Sequence, residues 1–592
     1  MKRALVTALC IAAALMLWSC SGDTNNPAGG TTTPPAGDTT PAETTAPVEA
    51  VDLGKYTIIR ADELDTDFVK YITGWRTSMN AALDTTLNIK SDWSKDNKQN
   101  NTVESGADVH EILIGDTNRA ESRAAAQENS MAFGYVVKYT NGKLVIWGTD
   151  TNATIKGMDD VLDLITKGTE IMSDYSYSCD LSGEGSSIWR LATQYRIVCG
   201  SSATDREVNA AKTLKSGLGN LSGAVVSMAT SKAERVEREI LVGDTGLAES
   251  TAVVDTLDYM DFVITVKGSK VIVAGGSPLA TERAVNMLLD KLGRGELESL
   301  EGYDYKYSFR EARPDSVIWN MDAFEPVWKS EFTAPAWLLD FEQKAYGCLY
   351  QGGRMMGDAH RGDNANYPEN SAEGILSAVL MGADCIEIDI RLTADGVMVL
   401  LHDESLKRTT DFASKSGKNG LPTSEKVSDW TYEQLLRLNL KSGRGGNNAS
   451  VTKYKICTAY EAVRIMAGHS LIHWDCKDDR IIRDTDTYLL ADELGAKANF
   501  YYYYGSDIMR KWYDYDRTDK EFGEFLDRMA AYAKAVGSRR RARNFDYIAK
   551  YGDDLSAWNH HVEDGYNMVF TNKIYDLCRY VAANCGPFEI KK

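Results

Sequence analysis

The segment from Gly357 to Asp403 reads GDAHRGDNANYPENSAEGILSAVLMGADCIEIDIRLTADGVMVLLHD. Apolar residues recur at helical spacing between Ala372 and Val379, and the strand pattern CIEIDI follows a glycine. Alternation of helix and strand is typical of a parallel sheet. Asn370, with Glu373 three positions on, predicts the N-cap of that helix. Similar alternation over 346–587 predicts a parallel α/β barrel at the C-terminus.

The strand CIEIDI separates its residues into two faces. Because side chains alternate along a strand, its isoleucines face one way, and Glu387 and Asp389 face the other, the barrel interior. The next pattern, VMVLLHD, predicts a barrel strand that brings His402 to its C-terminal end, where barrel enzymes build their sites. Two inward carboxylates repel each other and lose hydration, so they indicate a bound cation.

A later strand, LIHWDCK, starts at Leu471. His473, Asp475 and Lys477 share one parity along it, the inward one if Ile472 faces the helices, although His473 also fits a core position. Together Glu387, Asp389 and Asp475 offer hard oxygen ligands, which suit Mg²⁺ or Ca²⁺ better than zinc.

The motifs AHRG, PENS, GADCIEIDI, LTADGVMVLLHDESLKRTT and IHWDCK, in this order, resemble those of the glycerophosphodiester phosphodiesterase family. That resemblance implies a TIM-type (β/α)8 barrel at the C-terminus, one Ca²⁺ or Mg²⁺ ion and a histidine pair as general acid and base. Carried over to this chain, it implies the following roles: His360 and His402 in catalysis, Glu387, Asp389 and Asp475 on the metal, and Arg361 and Lys477 on the phosphate.

Two positions depart from the family pattern. Asp475 replaces the usual glutamate, as in the related spider-venom-type phospholipases D, and Thr571-Asn572 replaces Thr-Asp. Residues 505–563 give no clear strand signal; the run Tyr501–Tyr504 predicts a strand, and Arg539–Arg543 predicts a solvated loop.

The resemblance implies hydrolysis of a small glycerophosphodiester to sn-glycerol 3-phosphate and an alcohol. Two alternatives stay open: a phosphodiesterase acting on teichoic acid or lysophospholipid headgroups, and a non-catalytic surface binding protein. The net charge of −19 disfavours nucleic acid as a partner.

The N-terminus predicts targeting. Lys2 and Arg3 precede an apolar run that ends Leu17–Cys20, which resembles a bacterial lipobox. We expect residues 1–19 to be a lipoprotein signal peptide and Cys20 to carry a lipid. Residues 20–52, rich in Thr, Pro and Gly, predict a disordered tether. The expected location is extracytoplasmic, lipid-anchored to the bacterial cell membrane.

Residues 53–175 and 190–310 predict two repeated α+β sandwich domains, each a sheet with helices on one face. EILIGDTNRAES from Glu111 matches EILVGDTGLAES from Glu239, and Asn141-Gly142 predicts a hairpin. The repeats resemble small domains in front of glycoside hydrolase barrels, which implies a scaffold or contact with cell-wall polymer or carbohydrate.

Three further expectations concern single features of the chain. The GDT segments predict helix caps, with ligand binding as the alternative. Residues 311–344 predict a packed connector between the repeats and the barrel at 345–592. Cys179–Cys199 is one possible disulfide.

Overall fold

The computed structural model describes residues 47–93, 101–131, 133–181, 187–297, 299–349, 354–478, 480–481, 486–501, 520, 523–525, 527, 541–542, 552–563 and 568–587. The predicted signal peptide, Cys20, nearly all of the tether and Tyr502–Tyr504 lie outside these residues. In the described part of the chain, no helix has the length and apolar character needed to cross a bilayer. The chain divides into two compact units: Met1–Tyr195 with Leu218–Ser227, and Arg196–Gly217 with Met228–Lys592.

The first unit is built on a mixed six-stranded sheet. Its strands lie in the order Asn88–Ser91, Thr57–Arg60, Glu111–Ile114, Lys143–Gly148, Gly134–Thr140 and Ser176–Asp180. The first four run parallel, and the last two are antiparallel to their neighbours. The hairpin at Asn141-Gly142 is confirmed, because both residues adopt the positive φ that a tight two-residue turn requires.

A second mixed sheet repeats this strand order in the second unit. Its strands are Met228–Thr230, Arg196–Cys199, Glu239–Val242, Lys270–Gly275, Phe262–Lys267 and Asp304–Tyr307. The same neighbours are parallel and antiparallel as in the first sheet.

The predicted position of the helices on one face is wrong for both sheets. In the first, residues such as Ile58 and Ile112 pack in the main core with helices Thr66–Leu83 and Thr151–Thr166. The alternate residues pack with Ala125 of helix Ala120–Glu128 on the opposite face. In the second sheet, helix Ala248–Val254 matches Ala120–Glu128 of the first and covers the face that carries Val198 and Leu241. The two longer helices beside this sheet are Asp205–Ser222 and Pro278–Gly293. Both strand faces are apolar, so each needs a covering layer.

The GDT segments 115–117 and 243–245 do not cap helices as predicted. The helices that follow have Arg119 and Leu247 at their N-caps, and neither side chain forms a cap hydrogen bond. Both segments instead form the turn after a strand, where Gly115 has φ +73° and Gly243 φ +70°. The Oγ1 of Thr245 accepts the N–H of Leu247 at 3.3 Å within this turn.

The C-terminal sheet is of the TIM-barrel type. Its parallel strands within the described residues lie in the order Phe500–Tyr501, Leu471–Cys476, Cys385–Leu392, Met356–His360, Met568–Thr571 and Arg541–Ala542. The first strand in sequence therefore pairs with both the second and the last, as a closed barrel requires. Arg541–Ala542 is a strand, so the prediction of a loop there is wrong.

Helices alternate with these strands and connect the barrel to the second sheet. In chain order they are Phe309–Ala312, Ala336–Leu339, Phe341–Leu349, Ala372–Met381, Phe412–Lys415, Tyr432–Leu435, Ala459–Met466, Asp486–Glu493, Leu555–Glu563 and Ile574–Asn584. The helix Ser187–Gln194 belongs to the first unit, where Trp189 packs against the core. Trp328 is buried, and its Nε1 donates to Ser377 Oγ of the helix Ala372–Met381 at 2.8 Å.

One local prediction is wrong, and one disulfide that the sequence left open is not formed. The strand Met398–Leu400 pairs antiparallel with Cys385–Leu392, so it is a hairpin arm and not a barrel strand. The five residues Thr393–Val397 between the two strands are too few for a parallel crossover, which explains the pairing. Cys199 is a free thiol, so the possible disulfide with Cys179 is not formed.

Candidate active site

Three carboxylates converge at the C-terminal ends of two adjacent barrel strands. Asp389 and Asp475 are register partners in the parallel pair, and Glu387 precedes Asp389 by two residues on the same face. Oxygen atoms of all three lie within 4.8 Å of one another. Glu387 and Asp389 are buried, whereas the Asp475 side chain is 27% exposed. The predicted inward parity therefore produces a single acidic cluster.

The electrostatics of this cluster favour a cation. Burial, with Asp389 and Asp475 close by, raises the pKa of Glu387 well above its usual value. Burial also acts to raise the pKa of Asp389, but Arg361 and Lys477 more than offset it and lower that pKa to about 2. Asp389 Oδ1 is buried with no hydrogen-bond partner. Lys477 Nζ lies 3.3 Å from this oxygen. An oxygen of this kind beside two other carboxylates fits a metal ligand.

Arg361 and Asn370 hold Asp389 from the opposite side. Arg361 Nε lies 3.0 Å from Asp389 Oδ2, and its Nη1 donates to both oxygens of Glu369 at 3.0 Å. Asn370 Nδ2 donates to the same Asp389 oxygen at 2.8 Å. Both residues adopt the left-handed backbone conformation, with φ +60° at Arg361 and +58° at Asn370.

Asn370 is not the N-cap of the helix Ala372–Met381, so that prediction is wrong. Ser371 caps the helix, since its Oγ accepts the N–H of Gly374 at 3.1 Å. The left-handed turn at Asn370 points its amide into the barrel, where it serves the carboxylate cluster.

His360 ends the first barrel strand and meets Asn572 from the last. His360 Nδ1 lies 2.7 Å from Asn572 Oδ1. Asn364 Nδ2 donates to the carbonyl of His360 at 2.7 Å and to the same Asn572 oxygen at 3.1 Å. Because a carbonyl only accepts, Asn364 presents its NH₂ group, and Asn572 Oδ1 is an acceptor for both. His360 Nδ1 therefore carries the proton, and the lone pair lies on Nε2.

The ring of His360 is held neutral. Burial lowers its pKa to about 3, and the neighbouring Arg361 cation acts in the same direction. A neutral imidazole with its lone pair on Nε2 has the form of a general base.

His402 has a different partner. Its Nδ1 lies 2.6 Å from Asp403 Oδ1. Asp403 also accepts from Arg408 Nε at 2.5 Å, and Arg408 Nη2 donates to Glu369 at 2.7 Å. Burial acts to raise the pKa of Asp403, but the hydrogen bonds from Arg408 and His402 lower it to about 2. The His402 side chain is 40% exposed.

Lys477 and His473 lie at different depths in the barrel. Lys477 Nζ donates to Asp475 Oδ2 at 2.7 Å, and its side chain is 22% exposed. His473 points inward and meets Asp358 Oδ2 at 2.8 Å through Nδ1. The structure thus brings the predicted catalytic, metal-binding and phosphate-binding residues to one site. His473 lies beside that site, where it pairs with Asp358.

Several residues at the site were not assigned a role from the sequence. They are Asn364, Asn370 as a carboxylate partner, Asp403, Arg408, and Asn572 as the acceptor for His360. The stretches of sequence quoted above contain each of them, but only the fold shows which side chains turn inward.

A family model described as "Glycerophosphoryl diester phosphodiesterase family" matches residues 360–494. The chain is 46% identical over 79 residues to the glycerophosphodiester phosphodiesterase of Bacillus altitudinis, covering 13% of this chain and 28% of that protein. It is 35% identical over 125 residues to human glycerophosphodiester phosphodiesterase 1, covering 21% and 34%. The chain thus spans about a third of these relatives' length. The C-terminal region contains a domain of the glycerophosphodiester phosphodiesterase family.

Two solved structures are similar over this region. A glycerophosphoryl diester phosphodiesterase from Parabacteroides distasonis shares 20% identity, covers 44% of this chain and 96% of its own, and has a TM-score of 0.26. An Oleispira antarctica phosphodiesterase, solved in complex with the product sn-glycerol-3-phosphate, shares 18% identity, covers 40% and 99%, and has a TM-score of 0.28.

Proposed function

We propose that this protein is a metal-dependent phosphoric diester hydrolase that cleaves glycerophosphodiesters to sn-glycerol 3-phosphate and an alcohol. The observation that carries the proposal is the convergence of Glu387, Asp389 and Asp475 on one point, with neutral His360 and carboxylate-paired His402 beside it. The family domain in the C-terminal region supports the same activity.

The carboxylate cluster would hold the cation. Its donors are oxygen atoms alone, so Mg²⁺ or Ca²⁺ fits better than a thiolate-seeking metal. Such an ion supplies charge neutralisation at the anionic phosphate, which otherwise repels a nucleophile.

The two histidines divide the proton transfers. A water oxygen forms the new bond to phosphorus and gives a proton to His360 Nε2, while the bond from phosphorus to the alcohol oxygen breaks. That oxygen takes a proton from His402 Nε2, while Nδ1 of the same ring stays paired with Asp403. Proton exchange with solvent then returns His360 to its neutral form and His402 to its protonated form.

Lys477 and Arg361 serve the phosphate unequally. Lys477 is partly exposed at the cluster and is suited to contact a phosphate oxygen. Arg361 is 4% exposed, and its guanidinium is committed to Glu369 and Asp389. We therefore assign Arg361 to holding Asp389 in place, rather than to the phosphate contact that the family resemblance implies.

Hydrolysis of glycerophosphocholine by the purified protein tests the proposal. We expect release of glycerol 3-phosphate that EDTA abolishes and added Mg²⁺ or Ca²⁺ restores. His360→Ala and His402→Ala should each lower kcat by about 10²–10⁴-fold. His110→Ala, at an exposed position of the first unit, is the matched control and should leave kcat unchanged. Activity that resists EDTA, or that survives His360→Ala, would exclude this mechanism.

A lipid anchor at Cys20 is a separate proposal. It rests on Lys2 and Arg3, the apolar run after them and the lipobox-like Leu17–Cys20. Expression with Cys20→Ala in a bacterial host should release the protein from the membrane fraction. Membrane retention of that variant would argue against the anchor.

A further inference from the structure

Arg391 connects the strand of the carboxylate cluster to the backbone of two proposed active-site residues. It lies two residues beyond Asp389, near the C-terminal end of the strand Cys385–Leu392. Its Nε and Nη2 donate to the carbonyl oxygen of His402 at 3.0 and 2.7 Å. Its Nη1 donates to the carbonyl oxygen of Lys477 at 3.3 Å. One side chain thus spans the segments that follow two different strands.

The guanidinium of Arg391 is committed to these carbonyls. Within the described residues, no carboxylate lies within ion-pair distance of it. The planar fork of arginine can bond two acceptors at once in a fixed geometry, which a lysine cannot reproduce. Arg391 and Lys477 also line a cavity of about 570 Å³ with Ser428. Loss of the guanidinium would therefore leave both carbonyls to water entering that cavity.

The contacts of His402 explain why this connection matters. The hydrogen bond that His402 Nδ1 donates to Asp403 orients the imidazole, but Asp403 is the next residue and moves with the same segment. The backbone N–H of Leu401 donates to the carbonyl of Asp389 at 3.0 Å and fixes the chain one residue earlier. Arg391 holds the following carbonyl, that of His402 itself.

We propose that Arg391 is a positioning residue that fixes His402 for protonation of the leaving group. The assignment rests on the proposed function, since it presupposes His402 as the general acid. On this assignment, a positive charge at position 391 is not sufficient. Both hydrogen bonds from the guanidinium to the His402 carbonyl must form.

The leaving group of the substrate distinguishes positioning from a general structural role. An alkoxide, as in glycerophosphocholine, needs a proton as its bond to phosphorus breaks. A p-nitrophenolate leaves without one, because it is a much weaker base. Arg391→Met should therefore lower kcat for glycerophosphocholine by about 10–100-fold, part of the full general-acid contribution. It should lower kcat for the p-nitrophenyl diester of glycerol 3-phosphate by less than about 3-fold, since that route does not use the acid.

Arg480→Met is the matched control. Arg480 lines the same cavity and donates to the carbonyl of Leu392 at 3.0 Å, but pairs with Asp478 and not with His402 or Lys477. We expect it to leave the ratio of the two kcat values unchanged. Arg391→Lys should show the same selective loss in smaller degree, and it serves if the methionine variant does not fold.

The outcomes separate the two levels of the proposal. Equal loss on both substrates, or no loss on either, would overturn the role of Arg391 while leaving the phosphodiesterase activity intact. A wild-type protein that cleaves neither diester would overturn the proposed function and this assignment with it. A selective loss on the alkoxide substrate, at an unchanged melting temperature, is the result expected.

Discussion

Replacing Asn572 by aspartate should change the pH range in which His360 acts. In the wild type the amide oxygen accepts from His360 Nδ1 at 2.7 Å, and burial holds the pKa of the ring at about 3. A carboxylate in that place accepts the same proton but also stabilises the imidazolium. The pKa of His360 must therefore rise, and the base form is lost at a higher pH.

The size of the shift follows from the distance. Two unit charges about 4 Å apart gain about 4 kcal/mol at an effective dielectric constant near 20. That energy equals about 3 pKa units at 1.4 kcal/mol each. Partial burial of the new carboxylate offsets some of the gain, so we expect a net rise of about 1–2 units. The acid limb of kcat/KM should then have its midpoint between about pH 4 and 5 in the variant.

The assay is kcat/KM for glycerophosphocholine from pH 4 to 8 at saturating divalent cation. Asn584→Asp places the same new charge on the exposed surface of the last helix and is the control for loss of metal affinity at low pH. A lower rate for Asn572→Asp than for the control at pH 4–5, with equal rates at pH 7–8, is expected. An unshifted acid limb would refute the reasoning that His360 Nδ1 donates to residue 572.

Three further changes test the fold. Ser371→Ala should lower the free energy of unfolding by about 0.5–2 kcal/mol in urea titrations, because the helix loses its cap; an unchanged midpoint would contradict the capping by Ser371. Burial raises the pKa of Glu373 to about 7, so the native state loses stability as pH rises from the usual value of 4.5 through 7. At pH 8, Glu373→Gln should therefore raise the free energy of unfolding, measured by urea titration, by about 1–3 kcal/mol above that of the wild type. At pH 4 the two free energies should be equal, and a gain at both pH values would implicate another cause. Trp474→Ala should cost about 3–5 kcal/mol by calorimetry, since the side chain is fully buried against Phe500, and a loss below about 1 kcal/mol would mean that the barrel repacks.

The sequence allowed prediction of features set by local periodicity. Alternation in CIEIDI is enough to orient Glu387 and Asp389, because side-chain direction in a strand has a period of two. It was not enough to predict how Met398–Leu400 pairs, since a short apolar run fits either sheet direction. The helices on both faces of each N-terminal sheet likewise depend on tertiary packing that strand patterns do not specify.

The supporting residues of the site were harder to predict. Asn370 and Ser371 are both good caps by residue type, and only the backbone conformation decides that Ser371 caps while Asn370 reaches Asp389. Asn572 looked like a departure from the family pattern, yet its amide oxygen supplies the acceptor that His360 needs. The link from His402 through Asp403 to Arg408 spans only a few residues of sequence, but its end at Glu369 depends on the fold.

The left-handed backbone at Arg361 sets a limit on how stable this domain can become while it still works. A residue other than glycine costs about 1–2 kcal/mol in that conformation. At position 361 the cost is combined with a buried guanidinium that holds Asp389. Glycine at position 361 would relieve this cost but would leave the buried carboxylates of Glu369 and Asp389 without the guanidinium, a loss of about 3–5 kcal/mol. Directed evolution for heat resistance should therefore retain arginine at position 361 and gain stability elsewhere in the chain.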